Sequence, residues 1–350
     1  MKKKRVISVI MLVVLMAAMF TGCGNNASST KSTGGTKENK DLTLTVYAGI
    51  NEEPANGLCK AFEKETGIKT SVVRMSGGEI LARIQAEKDN PKASVWFGGP
   101  AETFIQARAE GLLDKYVSSN IKDIPKGYYD SEGYWTGFQT GVLGFFTNSK
   151  MLKEMGLEAP KTWDDLLKPE YKGQIVVANP ASSGTAFTFI ATIIQLKGEK
   201  DGLEYLKKLD GQIKQYPKAG AAAPQMVAMG EIPIGIGYLH EGVMQQQAGY
   251  KDIVISAPED GTGYMVDSVA LIKGGKEKEA GEKFIDWLLT KEVQNTFINY
   301  EEYQIPANKN ATIPEVDSFF KEVKLIDYDM QLVGENRNAW VEKWHEATGK

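Results

Sequence analysis

Apolar and polar residues alternate along most of this chain, first with the period of a strand and then with that of a helix. Leu42, Leu44 and Val46 alternate with threonines, the pattern of a half-buried strand. Pro54 suits a first helical position, Leu58, Ala61 and Phe62 share a face, and Gly67 supplies a stop. A strand is expected over 69–74, a helix over 79–87 with Ile80, Leu81 and Ile84 on one side, and a short strand over 94–97. Gly98-Gly99-Pro100 should break that strand before a helix from about Glu102. Strand-helix alternation with short connections implies a parallel sheet covered by helices.

The run 135–148 is long, apolar and Gly-containing, with no helical period and no central turn, and reads as extended chain passing into a second body. The alternation then resumes. Thr162-Trp163-Asp164-Asp165 has the form of a capping box. Strands are expected at 174–178 and 232–238, with an apolar helix over 183–196 between them. Strands at 253–257 and 266–272 flank Gly261-Thr262-Gly263, the expected return crossing. Amphipathic helices should cover 277–289 and 291–298. The remainder reads as helical from a start marked by Pro314. The fold class is therefore α/β. Its two lobes are expected at 41–139 with 262–305 and at 140–261 with 306–350, joined by a hinge and enclosing a cleft. Open α/β sheets bind ligands beyond the carboxyl ends of their strands, which selects loops containing Gly49, Ser76-Gly77, Gly98-Gly99, residues 181–185 and Tyr238 to Glu241.

The first forty residues follow a different pattern. Lys2, Lys3, Lys4 and Arg5 precede an apolar run over 6–20, and Thr21-Gly22-Cys23 follows at once. This reads as a secretory signal over 1–22, with Cys23 as the lipidated first residue of the mature chain. Residues 23–40 are rich in Ser, Thr, Asn, Gly and Lys, the composition of a flexible tether. The body is then expected outside the cytoplasm, anchored to the cell membrane through the lipid. Removal of 1–22 takes four basic and no acidic residues from totals of 41 and 45, leaving a formal charge of −8. That balance argues against nucleic acid as a partner, and means that any anion site must be built locally. Cys59 is the one remaining cysteine, which excludes an intrachain disulfide, and its place beside Leu58 on a helix reads as a buried thiol.

Several stretches resemble a known family. Val46-Tyr47-Ala48-Gly49, residues 61–67 (AFEKETG), 93–99 (ASVWFGG), 162–167 (TWDDLL), 179–186 (NPASSGTA) and Gly261-Thr262-Gly263-Tyr264 are similar to the ferric-iron, phosphonate and sugar-phosphate group of ABC-importer binding proteins. The resemblance implies a two-lobed, type II-like periplasmic-binding-protein fold and a monomeric receptor. It also implies capture of a small anionic solute for a permease and its ATPase, with no cofactor and no metal of its own. Ser182-Ser183-Gly184-Thr185 opens an apolar helix, where bare N–H groups and the dipole accept phosphate oxygens. Ordinary capping would look the same in sequence; the resemblance favours the anion. Ser76 and Gly77 offer a second helix start. Tyr238, His240 and Glu241 resemble the sugar-phosphate branch, in which imidazole and carboxylate bond hydroxyls. Iron-binding members carry adjacent tyrosines in this region, so ferric iron is the alternative cargo, with thiamine behind it. Met265 stands where sugar-phosphate relatives would present an acid. Tyr47, Trp96, Phe138 and Tyr264 could stack on a ligand ring but read better as core.

An enzyme is not expected. The sequence has no Gly-x-Ser-x-Gly elbow, no phosphate loop ending in Gly-Lys-Ser/Thr and no His-Glu-x-x-His helix, and His240 and His345 are its two histidines.

Overall fold

The structure is a computed structural model describing residues 42–315, 320 and 322–350. The signal, Cys23 and the tether lie outside these residues. The chain runs β1 (Thr43–Ala48), α1 (Glu52–Thr66), β2 (Lys69–Arg74), α2 (Gly77–Glu87), β3 (Val95–Pro100) and α3 (Ala101–Ala109). It continues through β4 (Leu113–Asp114), β5 (Thr136–Asn148), α4 (Ser149–Met155), β6 (Ile175–Val176), α5 (Gly184–Lys197), α6 (Glu199–Asp210) and β7 (Ile213–Gln215). Next come α7 (Ala222–Ala228), β8 (Ile234–Tyr238), α8 (Leu239–Gln247), β9 (Ile253–Ser256) and β10 (Tyr264–Ile272). The described chain closes with α9 (Lys278–Leu288), α10 (Lys291–Gln294), β11 (Ile305–Pro306) and α11 (Met330–Thr348).

β5 builds both halves of the sheet. Its first half, Thr136 to Val142, pairs antiparallel with β10, which in turn pairs with β3 and leads to parallel β1 and β2. Its second half, Leu143 to Thr147, pairs antiparallel with β8, which is parallel to β6 and so leads to β7. β9 borders the same half of β5 over Phe145–Asn148. Every residue of β5 is buried, which explains the absence of any polar alternation in its sequence. The partners change between Val142 and Leu143, and the return passage touches the strand there. Leu143 N–H donates to Gly263 O (3.1 Å), and the Thr262 hydroxyl donates to Leu143 O (3.0 Å). A third passage joins them, since Thr262 also bridges Leu325.

Three apolar clusters hold this frame. α1, α9 and α10 cover one face of the first half through Leu58, Phe62, Phe284, Trp287 and Val293. Phe62 meets Phe284 edge-on at 5.2 Å, a geometry that adds to burial. Cys59 lies in this cluster, and burial pushes its thiol up to about 12, so it stays protonated. A second cluster, with Phe146, Val176, Val227, Leu239 and Phe320, packs one face of the second half. The largest runs through both halves, from Trp96 and Phe104 to Phe187, Ile190 and Trp340, and includes α11.

Several expected boundaries shift. The strand after Ala93 runs through Gly98-Gly99-Pro100, because Gly98 and Gly99 take φ of 91° and 111° and keep the chain extended. The Thr162 box is present, with Asp165 N–H on Thr162 Oγ1 and Thr162 N–H on Asp165 Oδ2, but it caps a single 3-10 turn over Asp164–Leu167. The helix expected over 291–298 breaks after Gln294 and resumes as a 3-10 turn at Phe297–Tyr300. The C-terminal helix starts at Met330 rather than at Pro314. Asp329 caps it by accepting from Leu332 N–H, and Ile305-Pro306 is held as strand on β5.

Candidate functional site

A cleft of about 570 Å³ opens between the two halves of the sheet, a size suited to a small solute. Its walls come from the carboxyl ends of β1, β2 and β3 on one side and from the starts of α5 and α8 on the other. All the residues expected from sequence line it except Gly98. Gly98 sits behind the wall, where a Cβ on neighbouring Gly49 would stand 2.3 Å from its carbonyl oxygen. Close chain packing accounts for Gly98.

The α5 start opens onto the cleft through Ala181 to Thr185. Ser182 and Ser183 N–H groups both donate to Asn179 O, and the Ser182 hydroxyl donates to Lys218 O (2.9 Å). Ser182 therefore fastens the loop carrying Lys218 and contributes no free donor. Ser183 Oγ accepts from Ala186 N–H (3.3 Å) as the helix cap and keeps its own proton to give. The N–H groups of Gly184 and Thr185 have no partner among the described residues, nor has the Thr185 hydroxyl. The turn thus caps α5 and still leaves donors open to the cleft.

Across the cleft, Ser76 is engaged in a capping box: its N–H and its hydroxyl both donate to Glu79 Oε2, at 2.9 and 2.8 Å. What remains for a ligand are the N–H groups of Gly77 and Gly78 at the first turn of α2. Two cations missed by the sequence reading face this region. Arg74, at the end of β2, donates Nε to Ile50 O, and Lys218 rides on the loop before α7. The Glu79 carboxyl is held low by its bonds from Ser76, with Lys218 and Arg74 adding to the effect. Neither cation stands in a motif; only the fold brings them to the cleft.

The floor, beneath β5, is acidic and buried. Asp267 accepts from Gly99 N–H (2.8 Å), Gln139 Nε2 (3.0 Å) and Gln304 Nε2 (2.6 Å). Glu302 and Glu241 join it there, while the fourth carboxyl lining the cleft, Glu79, stands at the α2 start. Burial pushes Glu302 up to about 8, with Asp267 adding to the rise, and burial takes Glu241 to about 7. His240 lies in the first turn of α8 rather than in a loop, and burial lowers it to about 3. Its Nε2 is 3.9 Å from Glu241 Oε1, but a neutral imidazole makes no ion pair there. Tyr238 lines the cleft with its ring, stacked on His240, while its hydroxyl is 2.7 Å from Thr188 Oγ1. Met265 is on the wall, buried, and brings no charge. Tyr47, Trp96 and Phe138 are core, and Tyr264 packs between Tyr128 and Tyr328.

Residues 57–321 match the pattern that defines the bacterial extracellular solute-binding proteins. The chain belongs to that family. Among structures of such proteins, the periplasmic binding protein AfuA of Actinobacillus pleuropneumoniae, with fructose-6-phosphate bound, superposes with a TM-score of 0.85. The two are 34% identical over 88% of this chain and 99% of that one. An uncharacterised protein of Haemophilus influenzae is 36% identical over 314 residues, 86% of this chain and 89% of its own. A putative 2-aminoethylphosphonate-binding periplasmic protein of Salmonella typhimurium is 27% identical over 82% and 86% of the two chains. This solute-binding protein accordingly has the two-lobed architecture of periplasmic binding proteins, with β5 as a strand common to both lobes. Among its described residues no group of three or more His, Cys, Asp or Glu is arranged to hold a metal. No described helix is long and apolar enough to cross a membrane.

Proposed function

We propose that this solute-binding protein is the receptor of an ABC importer for a phosphorylated or phosphonate solute, preferably a sugar phosphate, and that it is not an enzyme. The observation that carries the reading is the pair of open helix starts facing one cleft. Gly184 and Thr185 N–H groups with two hydroxyls stand on one lobe, and Gly77 and Gly78 N–H groups on the other. Backbone donors at helix starts suit a multiply charged oxyanion, and Arg74 and Lys218 add charge from opposite lobes. The fructose-6-phosphate held by AfuA and the aminoethylphosphonate named for the Salmonella relative belong to this chemical class. The lipid on Cys23 tethers the receptor to the membrane, and a monomer delivers the bound solute to the permease and its ATPase. A ligand touching both lobes selects the closed form, which the permease reads.

The ferric reading is weaker. It needs phenolate oxygens, whereas the Tyr238 hydroxyl is bonded to Thr188 and burial holds its pKa well above the usual value. Titration calorimetry of the chain without residues 1–22 tests the proposal. Hexose phosphates or phosphonates should bind without turnover; tight binding of ferric salts with a visible phenolate band, or release of phosphate, would overturn it.

A further inference from the structure

The floor of the cleft holds acceptors with nothing to accept. Asp267 takes the amide nitrogens of Gln139 and Gln304 and so turns both carbonyl oxygens the other way. Gln304 Oε1, Gln139 Oε1 and His240 Nδ1 are buried and lack any partner. Gln304 Oε1 and His240 Nδ1 flank Gly141, where a Cβ would stand 3.2 and 2.8 Å from them. Buried polar atoms of this kind are normally satisfied, and two of the three residues, Gln304 and His240, line the cleft. Glu302 joins them, with its Oε1 on Gln304 Nε2 at 3.2 Å.

The chain conformation singles out the same place. Glu301, immediately before Glu302, has φ 59° and is the one non-glycine residue with positive φ among the described residues. A side-chain-bearing residue is held there against its preference, and the turn it makes drives Glu302 inward to 4% exposure. Met265, by contrast, brings no carboxyl to the β10 wall, where Asp267 is already held by Gly99, Gln139 and Gln304.

We propose that Glu302 and Gln304 are the specificity-determining pair of this receptor, reading hydroxyl groups on the part of the cargo that carries no phosphate. The inference rests on the proposed function, since it takes the anion seat as the other end of the same ligand. Hydroxyls suit the floor because each can donate to Gln304 Oε1 or His240 Nδ1 and also accept from a protonated carboxyl. Glu302 faces Asp267 on β10 and Glu241 and His240 on α8, with Arg74 across the wall acting on Glu241. With Glu302 titrating near 8, its neutral form predominates at pH 7. Ionisation above that removes the carboxyl proton that a sugar hydroxyl would accept, so the preference for the sugar phosphate over phosphate alone falls as pH rises through about 8.

The experiment compares glucose 6-phosphate with inorganic phosphate, which uses the anion seat alone, by calorimetry on the mature chain from pH 6.5 to 9. Wild type should prefer the sugar phosphate, with the ratio of affinities falling at least fivefold across that range. Glu302→Ala should lower the ratio at pH 7 at least tenfold while phosphate binding stays unchanged, which also shows that the variant is folded. Glu302→Gln, which mimics the neutral acid, should keep the ratio at pH 7 and lose the fall that wild type shows as pH passes about 8. A ratio unmoved by Glu302→Ala overturns the inference, as does equal weakening of both ligands. Phosphate binding with no gain for the sugar refutes this inference but leaves the anion receptor standing. Binding of neither probe refutes the proposed function itself.

Discussion

Thr185→Ala removes one hydroxyl and one methyl group from the proposed anion seat, and no hydrogen bond that the fold uses. The side chain makes no hydrogen bond within the protein, lies at the second position of α5 and is partly exposed to the cleft. A hydrogen bond to a charged group is worth about 1.5–3 kcal/mol. Affinity for phosphate should therefore fall about tenfold to about a hundredfold, while the melting temperature of the empty protein stays put. Ser183→Ala provides the contrast. Its oxygen caps α5 by accepting from Ala186 N–H, so it should weaken the anion by a similar factor and also cost about 1 kcal/mol of stability. Gly220→Ala approaches the seat from the loop side: the added Cβ would lie 2.3 Å from Thr185 Oγ1 and 3.2 Å from Ser183 Oγ. Either the loop or both hydroxyls must shift, and affinity should drop at least as far as in Thr185→Ala. Calorimetry with inorganic phosphate and a hexose phosphate, paired with thermal melts without ligand, reads all three. Wild-type affinity in both Thr185→Ala and Gly220→Ala would remove the α5 start from the site.

Gly263→Ala, at the meeting of the lobe passages, would put a Cβ 2.1 Å from Thr192 Oγ1 and 3.1 Å from the Tyr328 ring; overpacking of this kind costs about 1–3 kcal/mol, measurable in a urea melt. The empty protein should lose stability between pH 6.5 and 8, because Glu241 and Glu302 have folded pKa values raised to about 7 and about 8. Their contribution is full below the unfolded carboxyl range and is lost as pH rises through the folded values, at about 1.4 kcal/mol per unit for each group fully ionised only when unfolded. His240, lowered to about 3, acts with the opposite sign but only below about 6.5, so it leaves that window alone. A melting temperature that is flat or rising from 6.5 to 8 contradicts the buried acidic floor. Cys23→Ser should abolish incorporation of labelled palmitate and release the receptor from the membrane fraction; retention of label would exclude Cys23 as the anchor.

What the sequence disclosed and what it hid divide along one physical line. β5 is visible in 135–148 because a strand buried on both faces reads as unbroken apolar chain. The α5 start is visible because a small-residue turn ahead of an apolar helix is a local signal. α8 was hidden, since Tyr238-Leu239-His240-Glu241 passes from strand to helix without a capping residue or a turn. The C-terminal helix was drawn too early because Pro314 is a local start signal, whereas Asp329 and the pairing of Ile305-Pro306 with β5 depend on tertiary context. Arg74, Lys218, Asp267, Glu302 and Gln304 escaped for a related reason. Each sits beside unremarkable neighbours in sequence and gains its role only when separate elements converge on one cleft.

That convergence also answers how an acidic protein can hold an anion. A formal charge of −4 gives no long-range attraction for phosphate, so binding of an anion would have to come from short-range, directed groups. Open N–H donors at α2 and α5 supply these without adding net charge, and Arg74 and Lys218 add one positive charge from each lobe. On the proposed reading, a phosphate between them would be held fully only when the lobes approach, so the attraction that binds the ligand would also favour closure. The acidic floor works in the reverse sense. With Glu302 raised to about 8 and Glu241 to about 7, part of its charge is suppressed at neutral pH, which suits the proposed cargo with an anionic head and a body that offers hydrogen-bond donors. A bare anion satisfies the seat and leaves Gln304 and His240 unpaired, while a hydroxylated neutral solute satisfies the floor and leaves the open helix starts bare. Only a solute carrying both parts meets every unpartnered group in the cleft.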